Sequence, residues 1–305
     1  MLTILAFTQE KNLLKKSYNK LILSLAIADV LTAITLITNP AFVLGDAFPY
    51  PTSPVLGEIY CRVIWSRVPI FQLVVFSVYV VSVLTTERWF AVVKPHKYND
   101  VFNRKKVVGY VIFSWVWSVI ITLPGLYETV YNPSSNKICE FRFFRPGSFF
   151  RTFVSIFQIT MKVIFPCLFI IGLYVHMILK TNKNPVASAE RKAKLRGKMT
   201  RMIGAVSFIL IICLVPNQIY LVLAQAGKTK LDTKTHHFLS LLTFINSCVN
   251  PFIYGLSNKN YRHRYRRILF AVCPRALGEG AGASNVYVAK RARRVQPTIQ
   301  EEHIL

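Results

Sequence analysis

Six long apolar stretches, each bounded by polar segments, run through the sequence. They cover 20–44, 62–93, 107–126, 152–179, 201–225 and 236–256. A helix needs about 20 mostly apolar residues to cross a bilayer, and every stretch is long enough. The second has 32 residues, roughly 48 Å as a single α-helix, so it must tilt or project beyond the membrane. The pattern predicts an all-α membrane protein, a transmembrane helix bundle over 1–257.

The charged residues lie mostly between these stretches and are mostly basic. The chain has 38 Lys and Arg against 13 Asp and Glu, a formal net charge of +25. Nucleic-acid-binding proteins can have such a charge, but here the bases follow apolar runs and form no amphipathic stripe, so we expect no nucleic-acid partner. They cluster around every second loop and after the last stretch. By the positive-inside rule that face, with the C-terminus, is cytoplasmic; six crossings fit, as would seven with an outside N-terminus.

The six cysteines have different settings along the chain. Three lie inside apolar stretches, where we expect small packing residues. Cys61 and Cys139 lie at or near the ends of stretches and form the one attractive pair for a disulfide. Cys273 follows a basic, aromatic segment and is a candidate for palmitoylation. Beyond it, 274–305 contains a small-residue linker and a basic run, which predict a mobile tail.

One carboxylic acid interrupts the first apolar stretch. Asp29 lies in the middle of 21–36 with no neighbouring base, and an ionisable residue inside a span indicates function by default. Other stretches contain polar side chains that could join it, namely Ser77, Asn246, Ser247 and Asn250. Because such oxygens hold small cations such as sodium, we expect a polar or cation site. The alternative is an acid that burial keeps protonated.

A charged pair and several prolines mark further irregular positions. Glu87 and Arg88 lie near the end of the second stretch, where an arginine can also snorkel to the interface without any further role. A proline inside a helix removes a hydrogen bond and frees a carbonyl group. Here the prolines are Pro124, Pro166, Pro216 and Pro251, and the freed carbonyl groups are those of Ile120, Lys162, Ile212 and Ser247.

Taken together, these positions resemble the rhodopsin-like (class A) G-protein-coupled receptors, from about residue 12 to residue 273. Asp29 is similar to the sodium-site acid of the family's second helix. Glu87-Arg88-Trp89 resembles its Asp/Glu-Arg-Tyr switch. The other matches, in chain order, are Trp115 with Pro124, Phe165-Pro166 with Tyr174, Cys213-Leu214-Val215-Pro216, and Asn250-Pro251-Phe252-Ile253-Tyr254.

The resemblance implies a helix bundle of the seven-helix receptor type, with six full spans present and an amphipathic helix 8 at 258–273. Such a receptor lies in the plasma membrane, surrounded by lipid. It binds an extracellular ligand and activates heterotrimeric G proteins, with arrestin as a further partner. It needs no cofactor, but sodium would be an allosteric ion, held by Asp29, Ser77, Asn246 and Asn250.

The resemblance also implies a set of activation-switch residues. Glu87 would restrain Arg88 at rest, and Arg88 would meet the C-terminus of a G protein once the sixth span swings outward. Tyr174 and Tyr254 would then close on Arg88. Trp89, Pro216, Asn250 and Pro251 complete the set.

Four features depart from the family pattern. Little of the first helix is present, since only 1–7 is available for it, so we expect a further crossing upstream of Met1. Leu214 stands where the family has a toggle tryptophan. Arg196 stands where some members have an acidic partner for the switch arginine. Cys61 lies 27 residues before Arg88, two more than usual.

The expected ligand pocket has no acid for an amine and no lysine for retinal. The segment 65–76 lacks Asp and Glu, which argues against a monoamine receptor, and 236–256 lacks Lys, which excludes an opsin. A Cys61–Cys139 disulfide would hold the second extracellular loop over the pocket. The candidate pocket residues are Arg67, Ile70, Gln72, Lys162, Asn217, Gln218 and His237. These and nearby bases favour a peptide or an acidic ligand, although Lys162 could instead snorkel to the interface.

Other functional classes find less support in the sequence. No paired nucleophile and base, metal cluster or phosphate loop is visible, so we do not expect an enzyme. A transporter or channel is the main alternative, but the sequence has no internal repeat and no second buried acid near Asp29. A truncated product that does not signal is a third interpretation.

Overall fold

The computed structural model describes residues 1–9, 14, 16–39, 51, 53–133, 138–141, 149–181, 190–231, 233–257 and 259–272. Its helices are α1 (Leu2–Gln9), α2 (Ser17–Thr38), α3 (Pro54–Ile59), α4 (Val68–Val93), α5 (Tyr98–Val101), α6 (Arg104–Thr122), α7 (Phe149–Ile159), α8 (Phe165–Thr181), α9 (Glu190–Gln225), α10 (Lys234–Ser257) and α11 (Lys259–Val272). Two strands, β1 (Thr129–Tyr131) and β2 (Cys139–Phe141), pair in antiparallel register. Short π-helices at Tyr60–Trp65 and Thr160–Ile164 extend α3 and join α7 to α8, and 3₁₀ turns lie at Pro95–Lys97 and Leu123–Leu126.

Six segments of the described chain are long and apolar enough to cross a membrane. They are Ser17–Thr38, Pro54–Val93, Arg104–Leu126, Thr152–Lys180, Thr200–Ala224 and Lys234–Leu256. The prediction of an all-α membrane bundle is confirmed. The first predicted span was too long, since α2 ends at Thr38 and Asn39 is extended (φ −79°, ψ 122°). Asn39 precedes Pro40, and a residue before proline is disfavoured from the helical region.

The second predicted span, 62–93, is not one helix. The π-helix Tyr60–Trp65 ends at Ser66, which is extended (φ −61°, ψ 150°), and α4 starts afresh at Val68. Pro69 explains the restart, because proline has no N–H and its ring clashes with a preceding helical turn, whereas it is tolerated in the first turn. The π-helix and the break also fit the two extra residues between Cys61 and Arg88. The break leaves the Arg67 side chain buried, with 5% exposed.

The fifth span contains a second irregular turn, ahead of Pro166. The π-helix Thr160–Ile164 widens the helix, and the Tyr79 hydroxyl donates a 2.8 Å hydrogen bond to the Met161 carbonyl. The sequence predicted that Pro166 would free the Lys162 carbonyl. The Tyr79 hydroxyl bonds the carbonyl of Met161 instead, one residue earlier, because the π-helix changes the hydrogen-bond register.

The helix α4 runs through the centre of the bundle and packs against α2, α6, α8 and α9. Buried residues follow one another along it, including Val78, Val80, Val81 and Leu84, as expected of a helix that is apolar on all sides. By contrast, α6 leaves apolar residues such as Phe113 exposed. In a membrane protein such a face contacts lipid.

The helix α11 is amphipathic and packs against α1, as predicted for 258–273. Tyr261, Tyr265 and Ile268 are buried at helical spacing, and most of the arginines between them are exposed. The Thr3 and Tyr265 hydroxyls lie 2.8 Å apart, and burial raises the pKa of Tyr265 to about 12. Cys273 and the tail 274–305 lie outside the described residues.

Candidate functional site

A buried ion pair lies at the end of α4. The Arg88 guanidinium donates through Nε and one terminal nitrogen to the two carboxylate oxygens of Glu87. Glu87 is fully buried and Arg88 is 7% exposed. Two parallel hydrogen bonds fix the guanidinium orientation as well as its charge. The sequence prediction that Glu87 holds Arg88 therefore matches the geometry. We call this part of the bundle the Arg88 end.

Two tyrosines that the sequence prediction missed complete this cluster. The Tyr98 hydroxyl, from α5, donates to Glu87 Oε1. Burial and the Glu87 carboxylate raise the pKa of Tyr98 well above its ordinary value, so the phenol stays a donor. The Tyr18 ring, from α2, lies 4.5 Å from the guanidinium carbon of Arg88, a cation–π distance. Residues of three helices therefore hold the Glu87–Arg88 pair, which no local motif could indicate.

The other predicted switch residues lie around the ion pair but do not contact it. Trp89 points to α8, where its indole N–H donates to His176 Nδ1 at 2.9 Å. Tyr174 packs on Gly204 of α9, where an added Cβ would lie 2.5 Å from the tyrosine hydroxyl. Among the described residues Tyr174 has no hydrogen bond to Arg88, and the buried Tyr254 hydroxyl has no partner. The predicted closure of both tyrosines on Arg88 is absent from this arrangement.

Pro216 and Pro251 lie inside α9 and α10, which remain single helices. The two helices are joined near Pro216 by the Thr243 hydroxyl, which donates to the Cys213 carbonyl at 3.2 Å. The sequence predicted a freed carbonyl at Ile212, one residue earlier. Leu214, at the toggle position, is buried in the apolar core. The side chain of Arg196 lies outside the described residues.

Asp29 is buried in the bundle and interacts with two polar residues of α10. Asn250 Nδ2 donates to Asp29 Oδ2 at 3.0 Å, and Ser247 also interacts with this carboxyl group. Asp29 Oδ1, Asn246 Oδ1 and Asn250 Oδ1 are buried without a hydrogen-bond partner among the described residues. Ser77 is buried on α4. Hard cations are coordinated by carboxylate and amide oxygens, and these oxygens have no hydrogen-bond partner among the described residues. The residues present therefore fit sodium.

A cavity of about 100 Å³ opens at the other end of α4, and we call this the cavity end. Its described lining residues are Ser66, Arg67, Val68, Phe71, Thr122, Gly125, Glu128, Thr129, Ser155, Gln158, Ile159, Lys162, Gln218, Leu221, Val222, Leu231 and His236. They come from the helix break, the strand β1, the π-helical region of the fifth span and the facing parts of α9 and α10.

A disulfide holds the strand pair beside this cavity. Cys61 of the π-helix bonds Cys139 of β2, with Cα atoms 5.4 Å apart, inside the usual range. Cys139 faces Tyr131 in the strand register, and β1 contributes Thr129 to the cavity. The predicted disulfide is confirmed, and it joins the start of the broken helix to the hairpin.

Three of the seven predicted pocket residues line the cavity: Arg67, Lys162 and Gln218. Ile70 and Asn217 are fully buried in the packing instead, and Gln72 Nε2 donates to Ser118 Oγ at 3.0 Å.

His237 is not among the described lining residues of the cavity, whereas its neighbour His236 is. One residue turns a helix by about 100°, so the choice between the two depends on the helix rotation. Both ring nitrogens of His236 lie 3.1 Å from a terminal nitrogen of Arg67, and the ring stacks on Tyr220. His236 and Gln158 were missed, although both lie one turn or less from residues that were named.

A helical membrane bundle with a cavity beside a disulfide-linked strand pair at one end and a buried Glu-Arg pair at the other has the arrangement of a transmembrane receptor. The model of the 7 transmembrane receptor (rhodopsin family) matches residues 1–254. The chain therefore belongs to the rhodopsin family of G-protein-coupled receptors, which are receptors for extracellular ligands and not enzymes.

Two relatives have names that state a ligand. The chain is 27% identical over 278 residues to the somatostatin receptor type 5 of Bos taurus, covering 89% of this chain and 71% of the relative. It is 26% identical over 277 residues to the allatostatin-A receptor of Bombyx mori, covering 88% and 74%.

Proposed function

We propose that this receptor binds an extracellular peptide at the cavity end and activates heterotrimeric G proteins at the Arg88 end. The observation that carries the proposal is the helix α4, which joins the two sites. Arg67 precedes its first turn and lines the cavity, while Arg88 lies near its last turn in the Glu87 pair. The two arginines are separated by roughly 30 Å of continuous helix.

The orientation follows from the distribution of basic residues. Lys105, Lys106 and the arginines of α11 follow spans at the Arg88 end, and short loops rich in Lys and Arg remain in the cytoplasm. The Arg88 end, with the C-terminus, would therefore face the cytoplasm. The disulfide at the cavity end would lie on the oxidising, extracellular side, where disulfides persist.

Activation would require only that the ligand prefers one of two arrangements. In the described arrangement Glu87 and the Tyr18 ring hold Arg88, and Tyr174 packs on Gly204 of α9. A ligand that binds better when α9 has moved would shift the population toward that state. Arg88 would then be available to a G protein, and the same state would recruit arrestin.

A peptide ligand is supported by the two relatives, whose names refer to the peptides somatostatin and allatostatin-A. The test is guanine-nucleotide exchange on heterotrimeric G protein, measured with the full chain in lipid nanodiscs. Both peptides and a library of other peptides would be added in turn. We expect at least one to accelerate exchange. If peptides bind the receptor and none accelerates exchange on any G-protein class, the proposal fails.

We propose further that sodium binds beside Asp29 and favours the resting state. Asp29, Asn246 and Asn250 would hold it through their unpartnered oxygens, and Ser77 is the fourth candidate. Sodium would contribute a positive charge that stabilises the buried carboxylate. We expect the melting temperature of the unliganded receptor to rise when sodium replaces choline at constant ionic strength, and peptide affinity to fall.

The substitution Asp29→Asn keeps the shape and the Asn250 contact but removes the charge. It should flatten both responses to sodium. An equal response in the variant would exclude Asp29 as the sodium ligand. Ser24→Ala, on the same helix with its hydroxyl bonded to the Lys20 carbonyl, is a matched control that should respond like the natural protein.

A further inference from the structure

One wall of the cavity is built from hydrogen-bond donors. Gln158 and Lys162 lie one helical turn apart in the fifth span, and Lys162 Nζ donates to Gln158 Oε1 at 2.6 Å. This bond occupies the oxygen of the amide. Gln158 is 8% exposed, and its Nε2 has no hydrogen-bond partner among the described residues. A buried amide group with two unused N–H bonds loses free energy unless an acceptor reaches it.

The charge of the cavity points to the same kind of acceptor. Among the described lining residues Arg67 and Lys162 are cationic, and Glu128 is the single acid. Lys162 donates to the neutral amide of Gln158, and the Glu128 carboxylate acts on its charge from across the cavity. Among the described residues Lys162 has no salt bridge within 4 Å. An ammonium group has three donors and no acceptor, so Lys162 retains two N–H bonds that can face the cavity.

The position of Lys162 argues against a lysine that merely snorkels. A snorkelling side chain extends along apolar surface toward water. Lys162 instead lies half-buried, donates to a side chain of its own span and lines the cavity. Because the π-helix Thr160–Ile164 sets its direction and Tyr79 bonds the Met161 carbonyl, the backbone on which Lys162 sits is itself held in place.

We propose that the cavity binds a carboxylate group of the ligand, between the Gln158 amide, the Lys162 ammonium and the Arg67 guanidinium. A carboxylate has two oxygens that accept several hydrogen bonds at once, and hydrogen bonds between charged partners are about twice as strong as neutral ones. The inference rests on the proposed function for the location of the ligand site. It adds the chemical group that the site recognises.

Two sources could supply this carboxylate group. One is a peptide, through its C-terminus or an acidic side chain, and the other is a small carboxylic acid. The experiment uses matched pairs, each compound tested as the acid and as its amide. The pairs are somatostatin, allatostatin-A and a pool of short peptides with either terminus, and butanoic and dodecanoic acids. Binding is read as the rise in melting temperature of the full chain in nanodiscs, without G protein.

We expect the acid of at least one pair to bind about 10- to 100-fold more tightly than its amide, as a charged hydrogen bond worth about 1.5–3 kcal/mol implies. Gln158→Glu is nearly isosteric and gives Lys162 a carboxylate of its own, so this ratio should fall to about 1. Lys162→Met removes the charge at similar side-chain length and should also lower the ratio of acid to amide affinity to about 1. Lys228→Gln removes an exposed base that is not among the described lining residues and should leave the ratio unchanged.

The proposal is overturned if no acid binds, if amides bind as well as acids, or if the ratio survives both Gln158→Glu and Lys162→Met. Preference for peptide acids assigns a peptide carboxylate, and preference for butanoate or dodecanoate assigns a small acid. Binding of acids without nucleotide exchange would leave the carboxylate site standing and reject the signalling function. Nucleotide exchange driven equally by acids and amides would support the signalling function and reject the carboxylate site.

Discussion

Arg88 and Lys162 are two cations within the bundle, and their hydrogen-bond partners differ in charge. Arg88 meets a carboxylate of the protein itself, with Tyr18 and Tyr98 around the pair. Lys162 meets the amide of Gln158. A charge inside a membrane protein is costly unless it is paired. The first arrangement is complete without any ligand, so it suits a restraint. The second leaves donors unused, so it suits a binding site.

The comparison predicts that a substitution at one end should change the property of that end alone: ligand binding at the cavity end, or basal nucleotide exchange at the Arg88 end. The largest effect is expected from removing the Cys61–Cys139 disulfide at the cavity end. Cys61→Ser with Cys139→Ser opens a loop of 78 residues and should lower the free energy of unfolding by about 2–4 kcal/mol. Ligand affinity should fall with it, and basal nucleotide exchange per folded molecule should stay the same.

Melting curves and exchange assays in nanodiscs measure both quantities. Cys248→Ser is the control, since Cys248 is an exposed thiol on α10 and its loss should change neither. An unchanged melting temperature in the double variant would mean that the hairpin needs no covalent link to the bundle.

A smaller effect is expected at the Arg88 end from Tyr18. Cation–π contacts contribute about 0.5–2 kcal/mol, so Tyr18→Leu should raise ligand-independent exchange by about two- to thirtyfold. Tyr18→Phe keeps the ring and should behave like the natural protein. If Leu and Phe at this position give the same basal rate, the ring does not restrain Arg88.

The smallest effect is expected from Tyr79, which lies on α4 between the two ends. Tyr79→Phe removes the hydrogen bond to the Met161 carbonyl and should lower the free energy of unfolding by about 1 kcal/mol. Because that bond holds the π-helix carrying Lys162, ligand affinity should fall slightly while basal exchange stays constant. Tyr127→Phe, at an exposed tyrosine, is the control. A change in basal exchange without any change in affinity would place Tyr79 with the switch instead.

The two ends also differ in how far the sequence predicted them. Glu87 and Arg88 are adjacent in one helix, so a local motif identified both. Tyr18 and Tyr98 belong to other elements, and only the packing of α2 and α5 brings them to Arg88. The six spans were predictable because each depends on its own composition.

The cavity end was harder to predict because it depends on a break and on helix rotation. The Val68-Pro69 pair was a readable sign that a helix starts there, yet 62–93 was taken as one span. Ile70 and Gln72 of that span, and Asn217 of α9, were expected in the pocket. None of the three is among the described residues that line the cavity. The sequence named His237, whereas His236 lines the cavity, and the difference depends on the rotation of α10, which the sequence does not give.

The central claim is that Arg88 transmits to a G protein a signal that originates at the cavity. The most direct measurement compares ligand binding and nucleotide exchange in Arg88→Ala, using protein inserted normally in the membrane and whichever peptide activates the natural receptor. We predict that binding remains within a few-fold of the natural value and that exchange falls to the rate of the G protein alone. An equal loss of binding and exchange would contradict the account and make Arg88 a residue that supports the fold.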